Sequence, residues 1–316
     1  MIMKSDEEMH KMNTKKIMSL VLVLVITLSM VACSNGSAEV KETAFEGEYM
    51  IDGNTAKEQF EAGNAILVDA RGEDAAKGGT VEGAIATTWQ YLSNVENVEL
   101  GDYDWGLILQ PEELATRLGN LGLSKDKEII LFAEGPKGWG EDARILWTLR
   151  AAGYDQLKMV DGGLNALLAA GLSESKDVTK LDPVEVKIDA LDYEYVVNTN
   201  ELEAAIDDYV IIDVREDKEY EGGVYYGEAQ GGHLPGAIQI KFTDLFDEDG
   251  YLKSNDDINS MFADAGVTKD DQIVAYCTAG IRSAYMQLVL EMLGYDNAQN
   301  YDGSYYTWCA HNDVEM

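Results

Sequence analysis

The chain has little of what a disulfide scaffold, a proline-rich stalk or a nucleic-acid binder needs. Three cysteines in 316 residues cannot staple a loop-rich fold, and four prolines do not make a stiff linker. Positive charge is scarce. Against 58 Asp and Glu stand 24 Lys and Arg, a formal net charge of −34 that repels polyanions over most of the molecule, so no nucleic-acid partner is expected. No uninterrupted apolar run reaches the roughly 20 residues of a bilayer-spanning helix. What is present is a globular composition, 46% hydrophobic and 26% charged, which excludes a disordered or fibrous chain. Thirty glycines suit a compact α/β protein with tight turns, and the length suits two domains, each with its own core.

Lys15 and Lys16 precede an apolar run, Ile17 to Ala32, broken by Ser19, Thr27 and Ser29 and followed by Cys33-Ser34-Asn35-Gly36. That order predicts a signal peptide over residues 1–32. Val31 and Ala32 before Cys33 resemble a bacterial lipoprotein signal, with Met30 its weaker member. The resemblance implies cleavage behind Ala32 and a lipid on Cys33 that anchors an extracytoplasmic protein to the bacterial cell membrane. A secretory signal with a coincidental cysteine is the alternative. Acidic Asp6, Glu7 and Glu8 make residues 1–11 a poor start to such a segment, whereas Met12 to Lys16 make a good one, so Met12 is a second candidate start.

The remainder repeats itself. Asp69 of Ile66-Leu67-Val68-Asp69-Ala70-Arg71 aligns with Asp213 of Ile211-Ile212-Asp213-Val214-Arg215 at an offset of 144, which also aligns Leu121–Asp126 with Ala265–Asp270 and Ile129–Phe132 with Ile273–Tyr276. Gly153-Tyr154-Asp155 then matches Gly294-Tyr295-Asp296, and Asp161-Gly162 matches Asp302-Gly303, at 141. In each copy, short β-branched runs alternate with amphipathic ones. Strands are expected up to Asp69 and Asp213, at 128–132 and 272–276, and at 157–160 and 298–301. Helices are expected near 111–120 and 257–265 and at 142–152 and 283–293, with a closing helix in each copy. The pattern predicts an α/β fold of two tandem domains, each a parallel sheet with helices on both faces. Residues 33–44 read as a spacer, 45–172 as the first domain, 173–192 (charged, with Pro183) as a linker, and 193–316 as the second domain.

Chemistry concentrates in the second copy. Cys277-Thr278-Ala279-Gly280-Ile281-Arg282-Ser283 joins an apolar strand to an amphipathic helix, so the thiol falls at a strand's carboxyl end and a helix's N-terminus. Backbone N–H groups, the helix dipole and a turn at Gly280 favour negative charge on sulfur there, and a thiolate is the nucleophilic form. A buried strand-end cysteine beside an incidental glycine turn remains the plainer alternative.

Together, Asp213-Val214-Arg215-Glu216, Gly232-His233-Leu234-Pro235-Gly236-Ala237-Ile238, the Cys277–Ser283 loop and Tyr301-Asp302-Gly303-Ser304 leading to Trp308 resemble, in order and spacing, the signatures of rhodanese domains. The resemblance covers both copies. It implies a tandem sulfurtransferase of the rhodanese and mercaptopyruvate sulfurtransferase type, in which Cys277 takes a sulfane sulfur from a small donor and passes it to cyanide or a thiol. No cofactor is implied. By the same resemblance Ser304 bonds near the sulfur, Asp213 and Arg215 form a supporting ion pair, and His233 and Asp302 belong to the supporting motifs. Arg282 either closes the loop or faces the substrate anion. In the first copy Ala133 stands where Cys277 does, and Thr80 and Glu82 replace His233 and Pro235, so that copy is expected to be noncatalytic and to wall the cleft. Trp139 and Lys137 either reach the cleft or pack at the interface. Two departures bear on the donor: the family's thiosulfate enzymes carry lysine, and its mercaptopyruvate enzymes serine, where this chain has Ala279, and a substrate-binding arginine is replaced by Glu219.

Cys309 reads as a semi-buried helix cysteine, with a resolving role as the alternative. Cys309-Ala310-His311 is too sparse for a metal site, and Asp247-Glu248-Asp249-Gly250 reads as a solvated turn without the ligand spacing of a calcium loop. Tyr225-Tyr226 and Tyr305-Tyr306 are candidates for the cleft rim, and Gly222–Gly232 for a lid. Phosphatase chemistry fits poorly, since such loops place five residues between Cys and Arg and here there are four. A nonenzymatic lipoprotein that binds a ligand or partner between the copies is the other reading.

Overall fold

A computed structural model of the chain describes residues 41–96 and 98–316; Cys33 and the expected signal peptide over residues 1–32 lie outside the described residues. The first copy contributes strands β1 (Met50–Ile51), β2 (Ala65–Asp69), β3 (Thr80–Val81), β4 (Ile85–Ala86), β5 (Glu128–Phe132), β6 (Leu157–Val160) and β7 (Glu174–Ser175). The second contributes β8 (Val196–Val197), β9 (Val210–Asp213), β10 (Ile238–Gln239), β11 (Ile273–Tyr276) and β12 (Ala298–Tyr301). One sheet runs β1-β6-β5-β2-β4 and the other β8-β12-β11-β9-β10, all parallel, so the two copies have the same strand order. The short strands β3 and β7 pair antiparallel beside the first sheet.

The central strands are runs of Ile, Leu and Val, buried on both faces as parallel strands under two helical layers must be. Outer layers pair helix Gly53–Glu61 with Gly163–Ala169 around Ala56, Ala166 and Leu167, and helix Thr199–Ala205 with Ser304–His311 around Leu202, Trp308 and Cys309. The inner layers meet each other. Helix Glu141–Ala151 packs on its counterpart Ile281–Met292, and both share one apolar core that spans the copies. Helix ends coincide with or lie within two residues of those expected from periodicity. The helices Gly53–Glu61 and Thr199–Ala205 had not been expected; their start signals are Asp52, which accepts from the Thr55 N–H, and Asn198, which forms a capping box with Glu201.

Polar contacts across the interface follow the repeat. Asp161 accepts the Leu252 N–H at 2.9 Å, and its counterpart Asp302 accepts the Ile108 N–H at 3.3 Å. Arg150 grips Glu291 through two nitrogens at 2.5 and 2.7 Å. The segment before β1 straps the second copy: Lys41 bonds Asp247 and Asp249, Phe45 enters the core, and Glu46 bonds Asn255. The Asp247–Gly250 turn thus engages an ammonium group. Residues of the segment 173–192 lie along the first copy, where Thr179, Val184 and Asp192 donate to the carbonyls of Ala84, Gly119 and Ala151.

Candidate functional site

Strand register settles which residues are equivalent. Asp69 lies beside Phe132 and Asp213 beside Tyr276, so the next residues, Ala133 and Cys277, occupy the same place at the ends of β5 and β11. The neighbouring motif agrees. Arg71 Nη2 donates to the Gly79 carbonyl and Arg215 Nη2 to that of Gly232, which sets Thr80 against His233.

After Cys277 the chain bends at Thr278, Ala279 and Gly280 before the helix begins. Gly280, at φ 77°, caps helix Ile281–Met292, and a Cβ there would come within 2.8 Å of the Asp302 carbonyl and 2.9 Å of Arg144 Nη1, so only glycine fits. The Ala279 and Ser283 backbone N–H groups favour negative charge on the sulfur, and the Ser283 hydroxyl reaches it at 3.6 Å. Cys277 is 2% exposed, and that burial opposes ionisation. The Arg282 guanidinium and the Ser283 and Ala279 donors outweigh it and hold the thiol below its ordinary range.

Arg282 is itself gripped. Its Nη1 and Nη2 donate to the two Glu219 carboxylate oxygens at 2.9 and 2.8 Å, and Nη2 also reaches Thr278 Oγ1 at 2.9 Å. The Thr278 hydroxyl in turn donates to Glu219 at 2.9 Å. Burial works against the Glu219 carboxylate, but Arg282 more than compensates and keeps it below the usual carboxylate range. Arg282 therefore both closes the loop and faces the sulfur, and Glu219 is its counter-ion. From the sequence Glu219 registered only as a missing arginine; its partnership with Arg282, 63 residues away, has no local signal.

Ser304 bonds the backbone of Cys277, accepting from its N–H and donating to its carbonyl, both at 2.9 Å, and not the sulfur. It holds φ at 54° where the first copy has Gly163 at 55°, a left-handed conformation that costs a non-glycine residue about 1–2 kcal/mol. Asp213 and Arg215 form the expected pair at 2.6 Å, fully buried beneath the Tyr305 ring. His233 stacks on Tyr220, donates from Nδ1 to the Tyr220 carbonyl, and does not line the cavity over Cys277. Asp302 points to the first copy and pairs with Arg144 at 2.6 Å. Thr278, Ala279, Ile281 and Arg282 all face the cavity.

That cavity, about 320 Å³, opens over the sulfur and is walled by Trp89, Trp105 and Trp139 from the first copy and Tyr226 and Tyr306 from the second. Trp139 meets Tyr226 edge to face at 5.5 Å, and Trp105 meets Tyr306 at 5.0 Å. Trp139 gets there because the first copy's loop is longer: six residues, Glu134 to Trp139, precede the left-handed Gly140, against two before Gly280. Lys137 is not among the lining residues. Tyr305 turns away and bonds the Gln230 carbonyl, while Tyr306 Oη donates to the Tyr226 carbonyl and ties that rim residue down. Trp89, Trp105 and Arg144 were missed in the sequence, because only the packing of one copy on the other brings them to the loop. Cys309 is buried in the outer layer, where desolvation raises its thiol above the ordinary range. Among the described residues no His, Cys, Asp and Glu cluster suited to a metal ion occurs, and no helix is long and apolar enough to cross a membrane.

Comparison with known proteins gives the same two-part division. The family model described as a Rhodanese-like domain matches residues 53–170 and again 198–311. Proteins named "Putative thiosulfate sulfurtransferase" are similar: that of Mycobacterium leprae is 27% identical across 82% of this chain and 93% of its own length, and that of Haloferax volcanii 26% identical across 72% and 79%. A sulfur carrier protein of Thermus thermophilus is 27% identical across 63% of this chain and 74% of its own. Among solved structures, the anaerobic ergothioneine biosynthesis enzyme of Chlorobium limicola, in complex with trimethyl histidine, superposes with a TM-score of 0.72 at 21% identity. The superposition covers 83% of this chain and 69% of that one, a likeness of fold.

Proposed function

The chain belongs to the rhodanese-like family over both copies, and on that premise we propose that it is a sulfurtransferase whose second copy carries a sulfane sulfur on Cys277. The observation that carries this reading is the buried thiol at a helix N-terminus, beside Arg282, Ser283 and Ala279, which favour its ionised form. The relatives named for thiosulfate sulfurtransfer support the same chemistry.

In the first half-reaction the Cys277 thiolate attacks the outer sulfur of the donor. A sulfur–sulfur bond forms to Sγ, the donor's bond to that sulfur breaks, and the leaving group, sulfite in the case of thiosulfate, departs with the electron pair. The resulting persulfide is an anion, which the N–H groups, the Ser283 hydroxyl and Arg282 stabilise as they do the thiolate. In the second half-reaction an acceptor, cyanide or a thiolate, bonds the terminal sulfur and Cys277 leaves as the thiolate. Ser304 and the Asp213–Arg215 pair position the loop, and the first copy, with Ala133 in place of a thiol, forms no persulfide.

Mass spectrometry after exposure to thiosulfate or mercaptopyruvate tests the reading. A gain of one sulfur on Cys277, lost on adding cyanide, is the expected result; no gain with either donor favours a protein that only binds a ligand in the cleft.

For the anchor, we propose that lipid on Cys33 holds the protein at the outer face of the bacterial membrane, on the order of Lys15-Lys16, apolar run and Val31-Ala32-Cys33. Cys33→Ala should move the protein from the membrane to the soluble fraction, and continued membrane retention contradicts the anchor.

A further inference from the structure

The walls of the cavity over Cys277 are poorly suited to a compact dianion. Its one lining guanidinium, Arg282, has both terminal nitrogens committed to Glu219, and no lysine lines it. Glu219 and Arg282 cancel in charge, so the lining offers no net positive charge to a dianion. Five aromatic side chains line it beside Gln90, Val95 and Ile281, with ring edges and faces fixed by their own packing and by the Tyr306–Tyr226 bond. A volume of about 320 Å³ holds a ring-bearing compound, which would stack on or abut these rings. Thiosulfate would leave most of that apolar surface against water.

From these features, and resting on the proposed persulfide chemistry of Cys277, we infer that the site takes a sulfur compound with a flat, apolar or aromatic body and at most one negative charge, in preference to a small dianion. The first copy supplies three of the five rings, Trp89, Trp105 and Trp139. Having no thiol, it acts as the specificity wall of the second.

Three sulfane donors separate body from charge: thiosulfate, methanethiosulfonate and benzenethiosulfonate. The last two carry one negative charge and react alike. The Cys277 thiolate bonds the sulfane sulfur, the bond from that sulfur to the sulfonyl sulfur breaks, and a sulfinate leaves with the electron pair, so no oxidant or reductant is needed. Loading of the purified protein is followed by intact mass, with each rate divided by that of the same donor with free cysteine. Benzenethiosulfonate should then exceed methanethiosulfonate at least tenfold and thiosulfate by more. The advantage should fall below threefold in Trp139→Ala, an exposed position that tolerates truncation, and in Trp105→Leu. Binding is read separately in Cys277→Ser, where benzenesulfinate should quench tryptophan fluorescence and methanesulfinate should not. Equal corrected rates for the two thiosulfonates, or an advantage that survives both tryptophan variants, overturns the inference. If no donor loads Cys277, the sulfur-transfer reading fails, and absence of benzenesulfinate binding then rejects the aromatic site as well.

Discussion

Arg144 Nη1 donates to the Gly280 carbonyl oxygen at 3.1 Å, so a residue of the thiol-free copy braces the loop that carries the thiol in the other. The same guanidinium bonds the Gly106 carbonyl at 3.0 Å and pairs with Asp302 at 2.6 Å, all without exposure to solvent. Gly280 sets the start of the helix behind Cys277, so the bond couples the domain interface to the direction of the N–H groups at the sulfur.

Replacing Arg144 with Met should therefore do two things. Leaving Asp302 buried without its partner should destabilise the protein by about 3–5 kcal/mol, read by denaturant unfolding. Loosening of the loop should also raise the pH at which Cys277 is alkylated, a change that a purely structural role would not produce. Arg144→Lys keeps the charge and should recover more of the stability than of the thiol shift.

Cys277 and Cys309 should titrate apart. Iodoacetamide labelling of Cys277 should have a midpoint below the roughly 8.5 of a free thiol, since its loop favours the thiolate, while Cys309, raised by burial, should label only at higher pH. Cys277→Ser should abolish sulfur transfer and Cys309→Ser should leave most of it. Equal loss from both substitutions would point to a two-cysteine redox mechanism.

Glu219→Gln should release the Arg282 charge toward the sulfur. The Cys277 labelling midpoint should move further down, and loading by thiosulfate should rise several-fold as a free guanidinium meets the dianion. Glu219 has its folded-state pKa lowered, so its stabilising contribution is present above the ordinary carboxylate pKa and is lost as pH falls through the lowered value. The wild type should therefore be more stable than Glu219→Gln at neutral pH, and the gap should narrow in acid. A gap independent of pH would mean that the ion pair does not stabilise the fold.

Asp142 has its carboxyl pushed up to about 7, by burial first, with Glu141 and Asp161 adding to it against the Ala143 N–H. A raised acid pKa penalises the folded state as pH rises from the unfolded value near 4, until the penalty levels off above 7 at on the order of 4 kcal/mol. Asp142→Asn, which can still accept from Ala143, should therefore be more stable than the wild type at pH 8. Its advantage there should exceed that at pH 5 by roughly 3 kcal/mol by denaturant unfolding. The same advantage at both pH values would show that Asp142 does not titrate in this window.

Much of the architecture is legible in the sequence because it is local or periodic. Ile129–Phe132 and Ile273–Tyr276 read as strands from their β-branched, apolar runs, and the repeat offset of 144 matches the register that sets Ala133 and Cys277 in the same place. Gly280 before the helix at Ile281 marked the turn that cradles the sulfur. The helix at Gly53–Glu61 escaped notice because Gly53 and Lys57 blur its apolar stripe, although Asp52 was a usable start signal.

The amino-acid order by itself determined that the fold repeats, that only the second copy carries a thiol, and that the thiol sits between a strand and a helix N-terminus. These properties depend on neighbours in the chain, where spacing is enough. Tertiary structure decided the rest. Glu219 became a counter-ion when helix Asp217–Tyr220 came against the loop, and Arg144, Trp89, Trp105 and Trp139 became parts of the other copy's site when helix Glu141–Ala151 packed on Ile281–Met292. Charge pairing and cavity shape are set by distances between residues far apart in sequence, and those exist only once the two copies share one core.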